Sequence, residues 1–223
     1  KDLKKAFYWY KKAADQGYSE AQYNVACAYK DGLGVEKDLR KSFEYYKRAA
    51  DQSLTKAQNI VGYCYKDGRG VEKNLKRSFH YFQLAAEKGD ANALNNLGYC
   101  FLNGLGVKKN LARSFEYYQK AACKGLTEAQ YNLGYSYERG IGTRANLQKA
   151  FCYYKLAADK GLAEAQNNVA SCYVTAEGVE KNLVEAARYY KMAADQGHHG
   201  AKQILPLLPL IPQIEQSHSL DTN

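Results

Sequence analysis

Four His, six Cys and 23 acidic residues are the groups from which this 223-residue chain would build a metal site, thiol chemistry or general acid–base catalysis. His80, His198, His199 and His218 are scattered, apart from one adjacent pair, and that pair reads as a solvated loop. The thiols, Cys27, Cys64, Cys100, Cys123, Cys152 and Cys172, contain no C-x-x-C pair and no Cys/His cluster with zinc-ligand spacing. Nucleophile-elbow, P-loop and H-E-x-x-H signatures are missing. Carboxylates at helix spacing read as surface rather than as acid–base pairs. The expectation is a non-enzymatic chain with no catalytic, cofactor or metal residues. The residue type left with recognition chemistry is Tyr, present 21 times. A tyrosine ring offers contact area with few rotors and one polar handle.

What positions those tyrosines is a tandem repeat. Copies of 36 residues run without insertion over 21–56, 57–92, 93–128, 129–164 and 165–200. The first reads AQYNVACAYKDGLGVEKDLRKSFEYYKRAADQSLTK and the third ALNNLGYCFLNGLGVKKNLARSFEYYQKAACKGLTE. We number these copies repeats 1 to 5. Residues 1–20 are the second half of a preceding copy, and 201–223 hold a truncated sixth copy, a Pro-rich apolar segment and a polar tail. The chain opens at Lys1 in mid-pattern, which suggests a fragment or a processed product, and no signal peptide is visible. Hydrophobic and charged contents of 46% and 25% suit a folded protein. No apolar run is long enough for a membrane-spanning helix.

Each copy predicts two helices. In repeat 1, Ala21, Val25, Ala28 and Tyr29 make one apolar face, so a first helix is expected over about 21–31. Gly32 supplies a left-handed stop and Gly34 a tight turn, with Val35 plugging the joint. Asp38, or Asn74, Asn110, Asn146 and Asn182 in later copies, caps the second helix. Ser42, Phe43, Tyr46, Ala49 and Ala50 form its buried side. Gly89, Gly125, Gly161 and Gly197 end it. Repeat 5 is degenerate, with Ala176 for the turn Gly and Ala187 for the core Phe.

The 36-residue period, the G-x-G-V turn and the F-x-Y-Y-x-K-A-A run resemble the Sel1-like repeat, a relative of the tetratricopeptide repeat, over about 200 residues. The resemblance implies an all-α fold: an α/α solenoid of tandem 36-residue helix-turn-helix repeats forming a right-handed superhelix. It implies a protein-interaction scaffold without chemistry of its own. Cysteine-rich members join neighbouring helices by a disulfide. Here those positions hold Ala50 and Gln58, or Ala86 and Leu94, which excludes that subclass. Two alternatives come with the resemblance: a regulatory array cut from a larger kinase-fused signalling protein, and a hydrolase, as claimed for some cysteine-rich relatives.

Positions 3, 7 and 10 of the first helices form a second stripe, which the resemblance to tetratricopeptide arrays places on the concave surface. It comprises Tyr23, Cys27 and Lys30; Asn59, Tyr63 and Lys66; Asn95, Tyr99 and Leu102; Tyr131, Tyr135 and Glu138; and Asn167, Ser171 and Val174. These are the candidate partner-binding residues. Position 7 admits two readings, a binding tyrosine or one that only packs on the next repeat. Position 4 carries Asn24, Asn96, Asn132 and Asn168, expected to satisfy backbone groups between repeats.

The net charge of +9 is spread along the array without a basic block. Lys41, Lys47 and Arg48 fall on the second helix, expected on the convex, solvated side. On the stripe, Lys30, Lys66 and Arg139 are balanced by Asp31, Asp67 and Glu138. Nucleic-acid binding, which needs a positive track, is therefore not expected. The expected partner is a protein, with no membrane insertion. The chain is expected to be a monomer, self-association through the tail being the exception. Cys64, Cys100 and Cys172 share one position of different repeats. Adjacent helices about 8–10 Å apart hold such thiols beyond disulfide reach. All six thiols are expected to be free, which favours a reducing compartment such as the cytoplasm. In the tail, Pro206, Pro209 and Pro212 suggest an extended polyproline path. The apolar residues Leu205, Leu207, Leu208, Leu210, Ile211 and Ile214 are expected to fold back on repeat 5 as a cap, or else to serve as a linear motif. Residues 215–223 are expected to be disordered.

Overall fold

The computed structural model describes residues 2–210. Among them are α1 (Leu3–Asp15), α2 (Ser19–Asp31), α3 (Leu39–Asp51), α4 (Thr55–Asp67), α5 (Leu75–Glu87) and α6 (Ala91–Asn103). These are followed by α7 (Leu111–Cys123), α8 (Thr127–Arg139), α9 (Leu147–Asp159), α10 (Ala163–Thr175), α11 (Leu183–Asp195) and α12 (His199–Ile204). A 3₁₀ helix over Leu205–Leu210 ends the described chain. No strand occurs among the described residues, and the tandem helix pairs make an α/α solenoid fold. The chain divides within α7 into two compact units, the first ending at Ala121 and the second beginning at Ala122.

Helix starts and stops follow from side chains acting locally. The Asp38 carboxylate accepts the Lys41 amide at 2.9 Å, and Asn74 and Asn146 accept the amides of Arg77 and Lys149 at 3.0 and 2.8 Å. Each cap occupies one of the donors that a helix N-terminus leaves unpaired. The cap's own amide donates back to the first helix, Asp38 to the Tyr29 carbonyl at 2.9 Å and Asn182 to that of Tyr173 at 2.9 Å. One residue therefore fixes both the start of a helix and its angle to the one before. The first helix begins at Ser19 rather than Ala21, because the turn ends at Tyr18, whose side chain supplies no cap hydrogen bond.

The second turn glycine does more than tighten a loop. A methyl group on Gly34 would lie 2.2 Å from the Leu3 carbonyl oxygen, and on Gly70 2.0 Å from that of Leu39. The turns of repeats 1, 2, 3 and 5 are thus seated against the first turn of the preceding second helix, at a distance that admits hydrogen only.

In the first unit, Val25, Ala49, Ala57 and Val61 are fully buried, and in the second Leu133, Ala157, Val169 and Ala193 are. The small Ala side chains let neighbouring helices approach closely. In the second helix of repeat 1, Tyr45 takes the buried place expected for Phe43. Tyr45 is enclosed, while Phe43 is half-buried and packs edge-on against Tyr65 at 5.3 Å. Tyr65 in turn stacks on Tyr81 at 5.8 Å, and in the second unit Phe151, Tyr173 and Tyr189 repeat the relay. Lys41 and Arg48 are exposed as expected, but Lys47 is half-buried. It pairs with Asp51 at 2.6 Å and lies 5.8 Å from the Tyr81 ring centroid.

Gln satisfies backbone groups between repeats. Buried Gln58 donates to the Ala50 carbonyl at 3.4 Å, and Gln166 to that of Ala158 at 3.2 Å. Cys64, Cys100 and Cys172 are buried, and all six thiols are free. Burial pushes Cys64 and Cys100 up to about 11 and Cys172 to about 12.

The Pro-rich segment corrects one expectation. Over Leu205–Leu210 the chain forms a 3₁₀ helix that continues α12, not an extended path, with Pro206 at its second position. It packs on α11 and α12, and Leu208 is buried. Ile211, Pro212, Ile214 and the stretch 215–223 lie outside the described residues.

Candidate functional site

The stripe at positions 3, 7 and 10 lies on α2, α4 and α6 in the first unit and on α8 and α10 in the second. Its members differ in how free they are. Tyr23 is half-buried, edge-on to Tyr46 at 5.3 Å, with the Lys56 ammonium 4.3 Å above its ring. The Cys27 sulfur lies 3.1 Å from the Tyr46 hydroxyl. Tyr63 donates its hydroxyl to Asn96 Oδ1 at 2.8 Å, and Asn96 Nδ2 donates to Asn59 at 3.1 Å. Asn96 therefore links repeats through side chains rather than through backbone groups. Asn59 is buried, and the Tyr63 ring stands edge-on to Phe82 at 5.3 Å. Asn95 and Leu102 are half-buried, whereas Tyr99 is 48% exposed.

In the second unit Tyr131 is half-buried against Tyr154 at 5.5 Å, and burial raises its phenol pKa. Tyr135 is 40% exposed. Glu138 accepts the Tyr154 hydroxyl at 2.6 Å and pairs with Arg139 at 2.9 Å. Burial first, and the Glu138 carboxylate second, hold the Tyr154 proton on. Asn167, Ser171 and Val174 are half-buried.

The ion-pair balance read from the stripe is present as contacts. Lys30 meets Asp31 at 3.4 Å, and Lys66 meets Asp67 at 3.7 Å. At position 7, Tyr63 is committed to the inter-repeat joint, while Tyr99 and Tyr135 are exposed, Tyr135 with the Arg139 guanidinium 5.9 Å from its ring centroid.

Each unit also holds a cleft bordering the stripe. In the first, Lys30, Lys37, Tyr46, Ile60, Tyr63 and Arg69 are among the residues enclosing about 560 Å³. In the second, Tyr131, Glu138, Tyr154, Asn168, Ser171 and Glu177 are among those enclosing about 330 Å³. Arg69 and Glu177 do not lie on the stripe, because they sit in the turn. The available signal was their position, which holds Leu33, Leu105 and Ile141 in the other copies.

His80 is exposed. His198 caps α12, its Nδ1 accepting the Ala201 amide at 3.2 Å. Among the described residues no group of three or more His, Cys, Asp or Glu side chains is placed to hold a metal. No described helix is long and apolar enough to cross a membrane.

Helix pairs of this period, joined by glycine turns and lined by a tyrosine-bearing stripe, define a class of helical repeat protein. The Sel1 repeat profile matches residues 1–18, 19–54, 55–90, 91–126, 127–162 and 163–198, and the chain belongs to the Sel1 repeat family. A protective antigen of uropathogenic Escherichia coli strains, c5321, which displays the same fold, is 31% identical with a TM-score of 0.84. That alignment covers 92% of this chain but 44% of the antigen. A Sel1 repeat protein from Oxalobacter formigenes is 34% identical with a TM-score of 0.79, covering 83% of this chain and 76% of its own. The immunity protein Pa5087 of Pseudomonas aeruginosa, at 23% identity and a TM-score of 0.56 over 87% of this chain and 75% of its own, shares the fold. No curated protein matches the sequence. The fold is one generally used for protein–protein interaction, and its family is generally non-catalytic.

Proposed function

We propose that the chain is a non-enzymatic scaffold that holds a peptide or helix of a protein partner on its first-helix face, the surface that the resemblance implies to be concave. The observation carrying this reading is the exposure of Tyr99 and Tyr135, at 48% and 40%, in a position where Tyr63 is tied into the joint. An exposed tyrosine ring is a residue type enriched in binding hot spots, worth about 2 kcal/mol or more each. The remaining stripe residues frame the contact rather than drive it.

The test is affinity capture from the source lysate with the intact chain and with Tyr99→Ser/Tyr135→Ser. The variant is expected to keep its helical circular dichroism and lose the captured protein. Equal recovery by both would sink the reading. Tyr63→Ser, in contrast, is expected to lower the melting temperature.

A further inference from the structure

The two clefts occupy the same place in their repeats. Tyr46 and Tyr154 share one position, Cys64 and Cys172 another. What differs is charge. Lys30 is replaced by Glu138, Asp31 by Arg139 and Arg69 by Glu177, so every charged position common to the two linings is inverted. The cleft between repeats 1 and 2 also includes Lys37, which gives it three cations against one carboxylate. Its apolar wall comes from Ile60 and Tyr63, where the other cleft has Asn168 and Ser171.

The paired thiols register the inversion. Burial raises both; at Cys64, Arg69 draws the thiol back down, Asp67 pushes it up and Lys30 draws it down, while Glu177 and Glu138 both push Cys172 further up. A recess walled by protein concentrates such a field, because the surrounding medium screens less than bulk water.

We propose that the cleft between repeats 1 and 2 is a docking site for an acidic segment of the partner, a Glu or Asp side chain meeting Lys30 and Arg69 while a neighbouring apolar side chain covers Ile60 and Tyr63. This rests on the scaffold reading above and names the chemistry of the segment it holds. Lys30 and Arg69 each already touch a carboxylate, Asp31 at 3.4 Å and Asp67 at 2.8 Å. These pairs are exposed and individually weak, so they orient the cations without neutralising the recess. A carboxylate desolvated inside it would compete well with them. The cleft between repeats 4 and 5, built on the same frame with the opposite sign, should reject that ligand.

Fluorescence anisotropy on the full chain tests this with two labelled probes, a short peptide alternating Glu and Leu and its Lys/Leu counterpart. The Glu/Leu peptide is expected to bind about tenfold tighter or better, with an affinity that falls as salt is raised. Lys30→Glu/Arg69→Glu should remove that preference, and Glu138→Lys/Glu177→Lys should leave it intact or add a second site. Circular dichroism of both variants confirms that the fold is kept. Equal binding of the two peptides, no binding of either, or indifference to Lys30→Glu/Arg69→Glu overturns the proposal. So does a uridine oligonucleotide that displaces the Glu/Leu peptide, since it would assign the cleft to nucleic acid. If these probes fail while capture still depends on Tyr99 and Tyr135, the docking chemistry falls and the scaffold reading stands.

Discussion

The cleft between repeats 1 and 2 and the cleft between repeats 4 and 5 stand on identical joints and carry opposite charges. Their frames share a second-helix tyrosine, Tyr46 or Tyr154, a buried thiol, Cys64 or Cys172, and a turn seated on the previous helix. Their rims differ. The difference teaches where this array is free to vary. Gly70 and Gly178, which touch the neighbouring backbone, admit hydrogen only, and positions 10, 11 and 13, where Lys30, Asp31 and Arg69 give way to Glu138, Arg139 and Glu177, set the sign of the field.

The largest effect should come from the shared frame. A methyl group on Gly70 would fall 2.0 Å from the Leu39 carbonyl oxygen and one on Gly178 2.1 Å from that of Leu147, with φ near 72° and 74°. Gly70→Ala and Gly178→Ala should each cost about 3 kcal/mol or more, by equal amounts, in urea denaturation. A clear inequality would break the equivalence of the two joints.

The next effect separates the clefts. Tyr154→Phe removes a 2.6 Å hydrogen bond to the Glu138 carboxylate and should lower stability by about 2 kcal/mol. Tyr46→Phe removes only a hydroxyl–sulfur contact of 3.1 Å and should lower it by about 0.5 kcal/mol. Equal losses would mean that the charge difference does not reach the tyrosines.

Smaller still is the effect at Ala176, which holds φ 60° where repeat 2 has Gly68. Ala176→Gly should stabilise the protein by about 1 kcal/mol, seen as a higher melting temperature. The smallest effect is on the thiols themselves. Both titrate above the ordinary 9.0, at about 11 and about 12. The stability they contribute is therefore present below about pH 9 and is lost as pH rises through those values. Arg69→Glu should move Cys64 further up and Glu177→Lys should draw Cys172 down. The pH dependence of alkylation by a haloacetamide reads both shifts.

The repeat period, the caps and the left-handed stops were legible because each is local chemistry: Asp38 meets an amide three residues on, and Gly32 meets only its own helix. The burial of Tyr45 was not legible. It depends on the stacked ring of Tyr29 across the helix pair, a contact that a single-helix pattern does not encode. The backbone role of Gln22 and Gln58 was hidden for the same reason, their partners being carbonyls of the preceding copy. Leu205–Leu210 was misjudged from proline spacing, because contact with α11 and α12 decides its path. Of the site, the stripe was visible as periodicity. Which of its tyrosines are free was not, since Tyr63, Tyr99 and Tyr135 are the same letter in three different surroundings.

The glycine seated on its predecessor's carbonyl has a genetic consequence. Gly34, Gly70, Gly106 and Gly178 meet Leu3, Leu39, Leu75 and Leu147, always at the same separation in sequence. Each of these four copies thus carries a gauge of where the previous one starts its second helix. Duplicating or excising a whole cassette brings two such surfaces together unchanged. A cassette cut to any other length presses a side chain against a peptide oxygen. Array length should therefore change in whole periods: adding or removing a full period is expected to leave a foldable product, while a single-residue change near the turn is expected to cost stability.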